Sequence, residues 1–427
     1  MKNSVAEDFR WMLGGSAKEL LDETLAAFDD RQPVLKTAKR LRKKTTKTRA
    51  ALIVEQAQLR IRGRTKFDLA DQMFFTRRGL EQSSGLDIAL YKASKFCPFA
   101  RVADVCCGLG GDLIALNDRT SDLADESLVT VGVDADEVTS LFAARNLDVY
   151  RQHAQPSSRR QWVQHVTFEQ LNLSEFDALH IDPDRRTERR TVRGDQFSPS
   201  LNEVYDRVGD HQAIGIKVAP ATPIGDYIPS DIHREWIGDR RECKQQIFWS
   251  GAFQNSMAKQ FGSRTATMVD NGQACSFSAI ESEVAQRCEF SDGVMEYLYE
   301  PHPAVRAAHL TDAIARAYGL VRAADGIAYL FGDAYVRHPL LSAFKVLDVT
   351  RLSVKDLNAS LERLDIGLLE FKRRGIDKMT AGKFSKLKGP GGQPATLILT
   401  RIGTSNKRKA ILARRLVSED SDTISIS

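Results

Sequence analysis

The 427-residue sequence predicts an α/β fold, an open parallel sheet flanked by helices, with an N-terminal helical region and a small C-terminal α+β domain. Three observations carry that expectation. Short β-branched apolar runs alternate with helical stretches between residues 101 and 218, the pattern of βαβ units. The first run ends in a glycine-rich turn, Gly108-Leu109-Gly110-Gly111, that leads into a helical stretch. Further on, Tyr297-Leu298-Tyr299-Glu300-Pro301-His302-Pro303 punctuates the passage into a new helical pattern.

Taken in order, residues 1 to about 80 read as helical. Lys36 to Arg49 holds eight basic residues and no acid, a run that either contacts phosphates or forms a solvated face. A helix from Glu81 to Phe96 closes at Cys97-Pro98. Strands are expected at Val102–Cys106, Leu128–Val133, Trp162–Phe168, Ala178–Ile181 and Ala213–Val218. Arg264–Val269 and Ala274–Ile280 flank Asn271-Gly272, a hairpin signal. Beyond Pro303 the pattern gives a helix at Ala304–Tyr318, a strand at Ala343–Val349, a helix at Val354–Leu364, and strands at Ile366–Phe371 and Thr396–Arg401. The expected domains are 1–80, helical; 81–290, the sheet domain; 291–417, α+β; and 418–427, a polar, disordered tail.

Composition narrows the class. A chain of this length with 42% hydrophobic residues exceeds one typical core. No stretch reaches the roughly 18 apolar residues of a membrane span, and Met1 to Gly15 is mixed polar and charged, so a cytoplasmic protein without a membrane partner is expected. The six cysteines have neither Cys-x-x-Cys metal spacing nor the density of a disulfide scaffold, so no metal is expected. The net charge of +5 is uneven: Arg351 to Arg415 holds 16 Lys or Arg against five acids, the mark of a basic attachment module. Within it, Lys372-Arg373-Arg374 with Lys378, Lys383, Lys386 and Lys388 reads as a phosphate-binding surface or as a solubilising one.

Asp104-Val105-Cys106-Cys107-Gly108-Leu109-Gly110-Gly111-Asp112 is a buried strand turning directly into a helix, with glycines where the backbone must turn tightly and approach a ligand. Alone, such a turn serves a nucleotide or is only a tight connection. Asp134 ends the next strand, where a carboxylate meets ribose hydroxyls in a mononucleotide-binding half or caps a helix, a role Asp136 also fits. The fourth strand delivers Asp182-Pro183-Asp184-Arg185-Arg186 to its carboxyl end, where open α/β sheets bind ligands. Pro183 restrains Asp182, so a carboxylate is held firmly against a substrate. The arginines at 185, 186, 189, 190 and 193 either grip phosphates or form a solvated, ion-paired loop.

These motifs resemble the class I methyltransferases, whose Rossmann-like sheet binds S-adenosyl-L-methionine. The resemblance implies donor contacts from Asp104, Cys106, Gly108, Gly110 and Asp134, with Gln170 or Leu171 bordering the adenine, and a reaction loop of Asp182, Pro183 and Arg185. Cys106 and Cys107 are then packing residues. The loop departs from the pattern of amino-methyltransferases, since Asp184 replaces a second proline and Arg185 the aromatic. Uridine C5 chemistry needs a cysteine nucleophile, for which only Cys243 offers itself. Gly79-Leu80-Glu81-Gln82, Glu235-Trp236 and Glu242, with Tyr299-Glu300-Pro301, Tyr329-Leu330-Phe331-Gly332-Asp333 and Leu368-Leu369-Glu370-Phe371-Lys372-Arg373-Arg374-Gly375, are similar to bacterial methyltransferases carrying a THUMP-like domain. THUMP domains are associated with RNA, which implies structured RNA, tRNA or rRNA, as the partner by analogy. Two other readings stand beside it: methylation of a small molecule or protein, and a non-catalytic RNA-binding protein that keeps a cofactor pocket.

Overall fold

A computed structural model describes residues 2–119, 121–154, 158–185, 197–208, 212–223, 228–229, 232–256 and 262–416. They group into two compact units, one within Met1–His233, Gln245–Phe261 and Val269–Gln273, the other within Arg234–Lys244, Gly262–Met268 and Ala274–Ser427. The polar segment 418–427 lies outside the described residues. Among the described residues no helix is long and apolar enough to cross a membrane.

The first unit opens with helices α1 (Lys2–Met12), α2 (Gly15–Asp29), α3 (Val34–Leu41) and α4 (Lys47–Gly63). Their apolar faces, including Met12, Leu21, Leu41 and Ile53, join Leu109, Leu113 and Phe142 in one core, so the helical region packs directly beneath the glycine-rich turn. The chain between α4 and the next helix is tied down by side chains: Arg60 donates to the Met73 carbonyl at 2.9 Å, and Gln56 accepts from the Phe75 amide at 3.0 Å. The expected helix from Glu81 to Phe96 is two helices. Thr76 caps α5 (Arg77–Gln82), the backbone becomes extended at Ser83, and α6 (Leu86–Lys95) restarts after Gly85. Serines and a glycine, weak helix formers, make the break.

Strands β1 (Arg101–Val105), β2 (Val129–Asp134), β3 (Arg160–His165), β4 (Ala178–Ile181) and β5 (Ala213–Val218) are followed by β6 (His233–Gly238) and β7 (Cys243–Gly251). In the first unit they lie in the order β3-β2-β1-β4-β5-β7. All neighbours are parallel except β7, which runs antiparallel to β5. The order reverses at β1, so a crevice opens at the carboxyl ends of β1, β2 and β4. Helix α7 (Gly111–Asn117) leaves the β1 turn, α8 (Glu137–His153) leaves β2, and α9 (Leu201–Arg207) precedes β5. The third strand stops at His165, before a 3₁₀ turn over Phe168–Gln170. Strand β7 lacks a sequence expectation because its first half is polar.

Strand β6 pairs in parallel with β8 (Ser263–Asp270). β9 (Gln273–Ile280) follows through Asn271 and Gly272, both left-handed (φ 48° and 75°), as a two-residue hairpin turn demands. The second unit's own sheet contains β10 (Tyr297–Pro301), β11 (Val321–Arg322), β12 (Leu330–Gly332), β13 (Leu341–Thr350), β14 (Ile366–Arg373), β15 (Gln393–Ile402) and β16 (Lys407–Arg415), in the order β11-β12-β10-β13-β16-β15-β14. The helix expected over Ala304–Tyr318 divides into α10 (Pro303–Ala307) and α11 (Thr311–Ala317) around His309, whose φ is 59°. Helix α12 (Val354–Arg363) begins at a Ser353 cap.

The basic triplet on β14 has a structural use. Lys372 and Arg374 reach Glu300 of β10 at 2.8 and 2.6 Å, and Arg373 donates to the Ile376 carbonyl. β10 and β14 stand four places apart in the sheet, so these bonds require it to curl until its far edge meets Glu300. By contrast Lys378, Lys383, Lys386 and Lys388 are exposed and form no ion pair among the described residues.

Candidate active site

The turn after β1 is built from left-handed residues. Cys106, Gly108 and Gly110 have φ of 57°, 57° and 83°, and only at the glycines is this free of steric cost. A non-glycine in that region, as at Cys106, is a strained position that the surrounding packing must enforce. Gly110 caps α7, and Asn146 of α8 clamps the turn by donating to the Leu109 carbonyl at 2.9 Å. Asn146 also exchanges bonds with both backbone groups of Phe74, at 2.7 and 3.0 Å. The sequence predicts a helix from Val138 to Asn146 but no role for this side chain, whose only signal is an amide at a core position of α8.

Asp134 ends β2 half-buried. Its two carboxylate oxygens accept the amides of Gly108 at 3.0 Å and Asp136 at 2.9 Å. Burial pushes its carboxyl above the usual range, and those two N–H bonds hold the shift back. The cap of α8 is Asp136, which accepts from Thr139, so Asp134 is not needed for that role. A carboxylate offers about four acceptor sites, and Asp134 has two left for hydroxyls.

A cleft of about 100 Å³ lies against it, lined by Val105, Cys106, Asp134, Ala135, Val166 to Glu169, Ser198 and Pro199. Gln170 and Leu171 do not line it. Leu171 is in the core and Gln170 closes a capping box with Thr167, so the residues just before them form that wall. Gly108 has open space where a Cβ would stand. A recessed carboxylate, an open glycine and an apolar wall fit a nucleoside. Burial, reinforced by the carboxylates of Asp134, Asp182 and Asp184, pushes the Cys106 thiol well above its usual range, and burial does the same at Cys107. Both stay protonated, which suits packing rather than nucleophilic attack.

Asp104 is elsewhere. Strand alternation puts it on the opposite face from Val105, where it is 1% exposed and meets His180, its partner in the β1–β4 register, at 2.7 Å. Period two also brings Lys217 of β5 to that face, and α6 and α7 cover it with Lys92 and Asp112. The result is a buried chain of charges that sequence reasoning missed. Lys92 lies 2.7 Å from Asp112 and 3.4 Å from Nε2 of His180; Lys217 lies 3.6 Å from Asp112 and 2.5 Å from Asp182. The His180 ring bridges Asp104 and Lys92, with Nδ1 facing Asp104 and Nε2 facing Lys92. Burial would lower Lys217, but Asp182 and Asp112 outweigh it and hold its ammonium above the usual range. Burial would raise Asp112, yet Lys92 and Lys217 hold it well below. The sequence signals were a histidine within Ala178-Leu179-His180-Ile181 and a lysine within Gly215-Ile216-Lys217-Val218.

The loop after β4 starts with the Asp182 amide bonded to the Val105 carbonyl at 3.0 Å. Pro183 is buried, while Asp182 is half-exposed and Asp184 pairs with Arg78 at 2.7 Å. The backbone of Arg185 pairs with Phe197, and Arg186, Arg189, Arg190 and Arg193 lie outside the described residues. Cys243 donates its thiol to the Ile237 carbonyl in the second unit.

A family model for THUMP domain-like sequences matches residues 341–415. The chain is similar to uncharacterized S-adenosylmethionine-dependent methyltransferases from two strains of Mycobacterium tuberculosis, CDC 1551 and H37Rv, at 25% identity over 376 residues, 84% of this chain and 94% of each relative. A crystal structure of a candidate methyltransferase from Porphyromonas gingivalis W83 superposes with a TM-score of 0.70 over 87% of this chain and 92% of that one, at 19% identity. The chain therefore has a Rossmann-like methyltransferase fold with a THUMP domain-like C-terminal module, and over most of its length it is similar in sequence to S-adenosylmethionine-dependent methyltransferases.

Proposed function

We infer that this protein is a class I S-adenosylmethionine-dependent methyltransferase, and we propose that its acceptor is RNA. One observation carries the donor assignment: the Asp134 carboxylate, oriented by the amides of Gly108 and Asp136, stands beside the cleft at the carboxyl ends of β1 and β2. The donor named for the M. tuberculosis relatives agrees with it. When bound, that donor supplies an electrophilic methyl on a sulfonium. Asp134 accepts the ribose hydroxyls, and the turn from Cys106 to Gly110 gives the close backbone approach. Asp182, with Pro183 and Arg185 in the same loop, faces the acceptor. Lys217 holds one of the Asp182 carboxylate oxygens, so the task of Asp182 is to accept an N–H or O–H with the other and aim the acceptor's lone pair.

RNA is favoured by two cationic surfaces, one on each unit. Lys36, Lys39, Arg40, Arg42, Lys43 and Lys47 are exposed without ion pairs among the described residues, as are Lys378, Lys383, Lys386 and Lys388 of the THUMP domain-like module. Free cysteines throughout and an RNA acceptor go with a cytoplasmic setting. The deciding experiment supplies tritiated S-adenosylmethionine and the protein to total RNA, protein and small-molecule fractions from cells lacking it. Label is expected in RNA. Label confined to protein or small molecules would replace the acceptor, and no labelling together with no donor binding would remove the enzyme.

A further inference from the structure

We propose that Lys217 is a positioning residue for methyl transfer, fixing the Asp182 carboxylate as the exposed end of the buried chain Asp104–His180–Lys92–Asp112–Lys217–Asp182. The proposal rests on the reading of Asp182 as the group that meets the acceptor.

Once its backbone is set, Asp182 keeps little freedom. Its amide is bonded to Val105 and Pro183 follows it, so side-chain rotation is the main motion left. Lys217 removes that motion by holding Oδ2 at 2.5 Å, which leaves Oδ1 for a substrate. Lys217 is itself fixed, 10% exposed along its side chain, with the Gln82 carbonyl at 3.4 Å and Asp112 at 3.6 Å. Asp112 in turn is gripped by Lys92 at 2.7 Å and Ser84 at 3.3 Å, and Lys92 also reaches Ser84 at 3.3 Å.

Folding alone gives little reason for this cluster. Buried ion pairs are often replaceable by apolar residues of similar volume without loss of stability, and the neighbouring strand positions, Ile181, Ile216 and Val218, are apolar. The chain also has a direction. It is closed at Asp104, 1% exposed, and opens only at Asp182, the residue at the reaction loop. A group held within a few tenths of an ångström by a supporting shell is what in-line transfer requires.

A double-mutant cycle on the full chain tests it, using the initial rate of tritium transfer into total RNA from cells lacking the protein, at saturating donor. Asp182→Asn is expected to lower the rate about 10²-fold. Lys217→Met should lower it at least tenfold, leave donor affinity by calorimetry unchanged, add no further loss in the Asp182→Asn background, and be largely restored by Lys217→Arg. A purely structural role would instead give a loss that adds to that of Asp182→Asn. Should Lys217→Met fold poorly, Lys217→Met/Asp112→Asn removes one charge of each sign and is put through the same cycle. Full turnover in Lys217→Met, or a loss that adds to that of Asp182→Asn, overturns the proposal while Asp182 keeps its role; full turnover in Asp182→Asn overturns both.

Discussion

At the residue scale, the proposed donor site turns on one carboxylate whose orientation is set by backbone rather than side-chain partners. Replacing Asp134 by Ala frees the Gly108 and Asp136 amides and, in the proposed site, would remove the acceptor for the ribose hydroxyls. We expect the donor to bind weaker by about 1.5–3 kcal/mol, tenfold or more in Kd. Calorimetry on the folded variant measures it, and unchanged affinity removes Asp134 from the site. Asp182→Ala should leave that affinity intact and reduce transfer instead, which labelling rates separate from binding. The two acids differ in how they could be read. Asp134 and the glycines of the turn were legible because a left-handed backbone and a strand-ending carboxylate are written locally. Lys92, His180 and Lys217, and the part Asp112 plays among them, were not, because each lysine and the histidine is an odd polar residue until strand register and two covering helices bring them together.

At the element scale, the turn after β1 depends on α8. Asn146 fills three bonding positions on the buried backbone of Phe74 and Leu109. Asn146→Leu keeps the branched shape of the side chain but leaves those groups unpaired, so we expect a loss on the order of 2–4 kcal/mol in chemical denaturation. A midpoint equal to wild type would show the clamp to be dispensable. In the second unit the Glu300 bonds to Lys372 and Arg374 tie β10 to β14. Burial would raise Glu300, but the two cations hold it below its ordinary 4.5. A depressed acid stabilises the fold fully above its unfolded value and loses that contribution as pH falls through the folded one. Glu300→Gln should therefore melt lower than wild type at pH 7, and the gap should narrow as pH drops below about 4.5. A gap independent of pH would mean the pair adds no ionic stability. Most strands with unbroken apolar runs were readable in sequence. β16 was not, because basic residues at both ends conceal the buried Ala410–Ala413, and neither helix break was, because Ser83–Gly85 and His309 sit inside otherwise continuous patterns.

At the scale of the whole molecule, the charge imbalance that was plain in composition turns out to be partly spent inside the second unit. Lys372, Arg374 and Arg415 are consumed within the second unit by Glu300 and Glu370, and each also stands over an aromatic ring, Phe344 or Tyr329. Reversing the triplet would disturb folding before it reported on RNA, which composition alone could not reveal because ion pairing across a curled sheet is non-local. Lys378, Lys383, Lys386 and Lys388 remain exposed and without ion pairs among the described residues, and they are the ones to reverse. If they neutralise phosphates, removing each lysine–phosphate pair lowers the slope of log affinity against log salt by roughly 0.7 to 0.9, depending on strandedness. A Lys378/Lys383/Lys386/Lys388→Glu variant titrated with tRNA and ribosomal RNA fragments at several salt concentrations should therefore lose most affinity at low salt and show the flatter slope. Donor affinity should be unchanged, since Asp134 and its cleft belong to the first unit. Equal affinities with parallel slopes would mean that these lysines only solubilise the module, and the same titration on a Lys36/Lys39/Arg40→Glu variant then tells whether the first unit holds the RNA instead.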